Sequence, residues 1–108
     1  MSNGETQPTL PPMPLEQVLS TLRTHRSDLT ARYHLSDLGV FGSYVRGEQG
    51  PESDIDILVS FTVTPSIFTL LALEDELQEL LNHPVDLAVK SALRPHIGTR
   101  ILREVVAV

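Results

Sequence analysis

The chain has 108 residues, with eight Lys and Arg against fourteen Asp and Glu and a formal net charge of −6 at pH 7. That length fits one domain and leaves no room for a second of ordinary size, and 41% hydrophobic residues suffice for a core. The absence of cysteine excludes a disulfide scaffold, a thiolate zinc site and cysteine catalysis. No apolar run approaches the ~20 residues of a membrane span, and the N-terminus lacks the basic start and apolar stretch of a signal peptide; the expected location is the cytoplasm. The basic residues are scattered rather than clustered to displace counterions from phosphates, so stable binding of long DNA or RNA is not expected.

Residues 1–14 carry Pro8, Pro11, Pro12 and Pro14 among small polar residues, the composition of a disordered tail; the folded domain is then 15–108. Leu15, Val18, Leu19, Leu22 and Leu29 recur at helical spacing and predict a helix from Leu15 to about His34. Asp37 to Phe41 is a short strand stopped by Gly42-Ser43, and the two glycines and proline of Arg46 to Glu52 make a loop. Asp54 to Phe61 is the clearest strand: Ile55, Ile57, Val59 and Phe61 face one way, Asp54, Asp56, Leu58 and Ser60 the other. Ser66 to about Leu81 is a second helix, with Ile67, Leu70, Leu71, Leu77, Leu80 and Leu81 apolar and Glu74, Asp75, Gln78 and Glu79 exposed, ended by His83-Pro84. Val85 to Val89 is a third strand, and Pro95 opens a last helix to about Arg103. Val105 to Val108 is either frayed helix or a short extra strand. This order predicts an α/β (α+β) fold, a small mixed sheet flanked by helices.

Two carboxylates at i and i+2 on a strand share one face, about 7 Å apart along the backbone. Asp54 and Asp56 are such a pair, and holding like charges together on a half-buried strand has an electrostatic cost that a cation removes. Oxygen ligands without His or Cys favour a hard ion, Mg²⁺ or Mn²⁺, between carboxylates and substrate phosphates. Taken alone the pair reads equally well as two solvated aspartates. Gly42-Ser43 changes the balance: glycine admits close approach of an anion, exposed amides and the serine hydroxyl donate to phosphate, and Arg46 lies one turn on. Chance places G-S, ten residues, then D-x-D in a chain of this length roughly once in a thousand. His25, His34, His83 and His96 show no ligand spacing and read as surface or packing residues.

Gly42-Ser43-Tyr44-Val45-Arg46-Gly47 followed by Ser53-Asp54-Ile55-Asp56-Ile57-Leu58-Val59 resembles the signature of the DNA-polymerase-β-like nucleotidyltransferase superfamily. The brevity of the chain resembles its minimal nucleotidyltransferases, the MNT antitoxins of HEPN/MNT toxin–antitoxin pairs. The resemblance runs from about Leu15 to the C-terminus, with its specificity in residues 42–58. In that family a third carboxylate lies on a later strand, after an acidic Leu-rich helix, and Asp86 is the matching position. The resemblance implies that Asp54, Asp56 and Asp86 hold two Mg²⁺ ions, that Gly42 and Ser43 bind the phosphates of an NTP, and that Arg46 neutralises leaving-group charge. It further implies transfer of AMP from ATP to a hydroxyl, a tyrosine, of a HEPN toxin held as a hetero-oligomer. The small size favours an acceptor presented by a separate protein. The alternatives are a non-catalytic antitoxin that neutralises the HEPN ribonuclease by binding, and a small-molecule nucleotidyltransferase acting as a dimer.

Overall fold

A computed structural model describes residues 13–108. The expected tail at residues 1–12 lies outside the described residues. Of its last two residues, Met13 packs against the core, and the Pro14 carbonyl accepts from the Gln17 and Val18 N–H groups at 3.0 and 3.2 Å, starting the first helix.

Helix α1 (Leu15–Tyr33) turns Val18, Leu19, Leu22 and Leu29 inward, as the spacing predicts. It ends where His34 takes the left-handed conformation (φ 58°) and its N–H returns to the Thr30 carbonyl. Strand β1 (Leu35–Phe41) follows directly, two residues earlier than the expected start at Asp37. The difference comes from a register irregularity between Leu35 and Asp37, which places two successive polar residues, Ser36 and Asp37, outward and masks the alternation. Then come α2 (Ser43–Arg46), β2 (Ile55–Phe61), α3 (Ile67–Leu81), β3 (Val85–Val89), a single 3₁₀ turn at Lys90–Ala92, α4 (Pro95–Glu104) and β4 (Val106–Ala107). The C-terminal segment is therefore a short strand, not frayed helix.

The sheet order is β3-β2-β1-β4. β1 runs antiparallel to β2 and β4, while β2 and β3 are parallel, joined by α3 as a crossover. One face carries Leu38, Val40, Ile55, Ile57 and Val59, and α1 and α3 cover it to form the core. In α3, Ser66 caps the start by accepting from the Thr69 N–H, and Asn82 (φ 50°) ends it. Its buried stripe is Leu73, Leu77 and Leu81, whereas Ile67 and Leu71, expected on the apolar face, are 61% and 51% exposed. The run Ile67-Phe68-Thr69-Leu70-Leu71-Ala72-Leu73 is apolar nearly all round, so its spacing does not select a face; the i, i+4 series 73-77-81 does. The Arg32 guanidinium joins the helices by pairing with Asp28 and Glu76, and the Tyr33 hydroxyl donates to Glu76 at 2.7 Å. Leu77 is fully buried, so Leu77→Ala is expected to destabilise the fold by about 2–5 kcal/mol, read from the midpoint of urea unfolding.

The other face holds Phe41, Asp56 and Leu58. Leu58, which shares the face of the aspartates as expected, is 4% exposed and lies with Leu102 and Val105 beneath the C-terminal segment. The part of this face toward the start of β2 stays open.

Candidate active site

β1 ends at Phe41, whose register partner on β2 is Asp56. The next residue, Gly42, has φ 79° and ψ −150°, a backbone region open essentially to glycine alone. That conformation brings the chain down onto Asp56: a Cβ on Gly42 would overlap Asp56 Oδ2 and come within 2.9 Å of its Cγ. The Val45 and Arg46 N–H groups close a single helical turn on the Gly42 carbonyl at 3.0 and 3.1 Å. The Ser43 and Tyr44 N–H groups, first in the turn, have no acceptor within it. Gly47 (φ 72°) then releases the chain into the loop.

On the other side of β2, Asp86 of β3 is the parallel register partner of Asp56. Adjacent strands lie about 4.8 Å apart and paired residues point to one face, so the two carboxylates are neighbours. Asp54 stands two residues ahead of Asp56, exposed at the entrance to β2. The electrostatics record the cluster. Burial, and then the charges of Asp86 and Asp54, push the Asp56 carboxyl up to about 6, with Arg46 opposing. Burial and the Asp54 charge also raise the Tyr44 hydroxyl above its ordinary value.

A cleft of about 310 Å³ opens beside Asp56, with Gly42 and Arg46 on one side and Ile97, Arg100 and Glu104 of α4 on the other. Arg46 is ion-paired there: its Nε meets Glu48 and its Nη1 meets Glu104, both at 2.9 Å. Glu104 also accepts from the Gly42 N–H at 2.7 Å. Burial pushes the Glu104 carboxyl upward, but the Gly42 hydrogen bond and Arg46 outweigh it and leave it below its ordinary value. A larger cavity of about 490 Å³ lies around Phe61–Pro65 at the far end of β2 and has no acidic residue in its wall.

The structure thus brings Gly42, Arg46, Asp56 and Asp86 together, with Ser43 half-buried at the start of α2 and Asp54 exposed ahead of β2. Among the described residues no three acidic or imidazole groups form a ready-made ion cage. The donor set nonetheless fits a hard cation. Asp54, Asp56 and Asp86 offer only oxygen, and Mg²⁺ ordinarily takes one or two protein carboxylates and fills its shell with water and substrate phosphate.

Two contributors escape sequence reasoning. His83 Nε2 lies 2.7 Å from the Ser53 carbonyl, to which it must donate, and 3.2 Å from the Tyr44 hydroxyl. It ties the residue before Asp54 to the turn after Gly42, although neither partner is near it in sequence. Glu104, one acidic residue at a helix end, gives no signal in the sequence at all.

Residues 22–108 match the family model described as a nucleotidyltransferase domain. The chain is 47% identical over 94 residues to the protein adenylyltransferase MntA of Thermococcus cleftensis, covering 87% of this chain and 95% of that one. A solved structure assigned as a minimal nucleotidyltransferase superposes with a TM-score of 0.77 at 32% identity, over 89% of this chain and 97% of that one. A chain from the solved complex of a tri-AMPylated Shewanella oneidensis HEPN toxin with its MNT antitoxin shares the fold, with a TM-score of 0.56 at 20% identity over 86% of this chain and 66% of that one.

Proposed function

Because the chain belongs to the minimal nucleotidyltransferases of the polymerase-β-like superfamily, we propose that it transfers AMP from ATP to a hydroxyl of a partner HEPN toxin and so acts as its antitoxin. The observation that carries the chemistry is the register Phe41–Asp56–Asp86 across three strands, which lines up the glycine of the Gly-Ser turn with two carboxylates. The T. cleftensis relative is a protein adenylyltransferase, which supports a protein acceptor. The HEPN complex of the same fold supports the choice of partner. Tyrosine is the acceptor that the family resemblance implies.

In this reading Asp54, Asp56 and Asp86 hold Mg²⁺, which when bound would screen the triphosphate and the developing charge of an in-line displacement. The chain's own residues do the positioning. The Ser43 and Tyr44 N–H groups and the Ser43 hydroxyl face the β- and γ-phosphates, with the Arg46 guanidinium beside them, so that pyrophosphate departs opposite the incoming oxygen. Asp86 orients the acceptor hydroxyl and takes its proton. The hydroxyl oxygen bonds to the α-phosphorus as the bond from that phosphorus to the bridging oxygen breaks, and the electron pair leaves with pyrophosphate.

The test is to incubate the protein and its partner toxin with ATP and Mg²⁺ and weigh the toxin intact. A gain of one or more AMP masses is expected, absent when EDTA replaces Mg²⁺, with tandem mass spectrometry locating it on tyrosine. No gain with both proteins folded and associated would overturn the reading, and AMP on serine or threonine would replace the acceptor.

A further inference from the structure

We propose that Glu104 is a positioning residue of the nucleotide site, a brace from α4 that fixes both the Gly42–Ser43 turn and the Arg46 side chain. The proposal rests on the nucleotide-binding role of that turn. Both Glu104 oxygens are in use: Oε2 accepts from the Gly42 N–H at 2.7 Å, and both contact Arg46 Nη1, at 2.9 and 3.1 Å. The side chain is only 23% exposed, and Gly42 itself is buried, so removing the carboxylate strands a buried N–H donor.

The anchor is rigid on both sides of Glu104. Ahead of it α4 is helical, and the next residue donates from Val105 N–H to the Ile101 carbonyl at 2.9 Å. Beyond it, Val106 and Ala107 pair with Val40 and Gly39 of β1, and the Val108 N–H reaches the Leu38 carbonyl. β1 is the strand that delivers Gly42. The C-terminal segment therefore returns to the strand that carries the Gly-Ser turn and hands that turn a carboxylate.

The turn needs such a brace. Gly42 sits in a backbone region where no Cβ restricts it, and four residues of helix are too few to hold themselves. With its N–H held by Glu104 across the cleft, the Gly42 end of the turn is fixed, and Arg46 is drawn toward α4.

The experiment measures MgATP affinity of the full chain by calorimetry, without acceptor, together with melting temperature, for wild type, Glu104→Ala and Glu104→Gln. Glu104→Ala is expected to weaken MgATP binding about tenfold, the scale set by loss of a charge-assisted hydrogen bond to a buried donor. Glu104→Gln keeps an acceptor for the Gly42 N–H and should fall between the two. In the transfer assay the loss should appear mainly in KM for ATP, with kcat little changed. If Glu104→Ala does not fold, Glu104→Asp, one methylene short of the turn, serves instead and should also bind MgATP more weakly. A folded Glu104→Ala that binds MgATP as tightly as wild type overturns the proposal. So does tighter binding, which would mean that Glu104 competes with the triphosphate for the Gly42 N–H. Wild type that fails to bind MgATP would instead refute the nucleotide-binding role itself, so the two failures are separable.

Discussion

Replacing Asp56 by asparagine is expected to lower AMP transfer by about a thousandfold or more while leaving a folded protein that melts at a higher temperature at pH 7. The first half follows from the proposed role of the site: Asp56 is the central carboxylate, between Gly42 and Asp86, and a neutral amide would withdraw a charge from the proposed Mg²⁺ site, worth several kcal/mol in the transition state. The second half follows from the folded state. Burial and the charges of Asp86 and Asp54 push the Asp56 carboxyl from 3.8 up to about 6. Between those two values the folded protein binds the proton more readily than the unfolded chain, so stability falls as pH rises through that window. Above about pH 6 the native state therefore carries the whole cost of an ionised Asp56, and below about pH 4 it carries none. The Asp56→Asn variant would carry none at any pH. Its stabilising effect should be full at pH 7 and fade as pH is lowered from about 6 to below 4, measured by thermal melts in EDTA. Adding Mg²⁺ should raise the melting temperature of wild type and not of the variant. A variant with reduced stability at pH 7 would contradict the electrostatic account of the cluster.

That same cluster shows what could be read from the sequence and what could not. The alternation Ile55-Asp56-Ile57-Leu58-Val59 exposes β2 and the shared face of Asp54 and Asp56, because a period of two is a local property of the chain. The Gly-Ser turn is local too: Gly42 is legible as a glycine that admits close approach of an anion. Asp86 is different. In isolation it is one aspartate near a strand end, and only the parallel pairing of β2 with β3 makes it the neighbour of Asp56. Strand order depends on how α3 packs across the sheet, which no window of sequence contains. Only the family resemblance could point to Asp86. Glu104 and His83 lie further out of reach, since each acts on backbone atoms of a segment distant in sequence: Glu104 on the Gly42 N–H, His83 on the Ser53 carbonyl. Those backbone partners leave no complementary residue type to notice, and the one charged partner, Arg46 for Glu104, lies 58 residues away. The face of α3 failed for another reason: its first turns are apolar on every side, and only the longer series Leu73, Leu77 and Leu81 marks the buried stripe. What was legible was thus the chemistry at each position, and what was not was the juxtaposition of positions.

Gly42→Ala should separate these local and distant contributions, with an expected loss of transfer of about a hundredfold and a destabilisation of about 1–3 kcal/mol. Two costs combine. The backbone at φ 79° and ψ −150° is one that alanine scarcely occupies, and that part is local to residue 42. The added methyl would also overlap Asp56 Oδ2 and press within 2.9 Å of Cγ, which is a cost shared between the two strands. The catalytic loss follows from the second: either the Asp56 carboxylate swings away from Asp86 or the turn lifts off β2, and a misplacement on the order of 1 Å is enough for a hundredfold loss. The two costs can be told apart by repeating the substitution in an Asp56→Ala background, where the colliding carboxylate is gone. There the stability penalty of Gly42→Ala should shrink to its backbone part, leaving a coupling of about 0.5–3 kcal/mol between the positions in a double-mutant cycle by urea unfolding. Strict additivity would show that Gly42 is required only for its backbone freedom, and that the close approach of the turn to Asp56 does not set the geometry of the site.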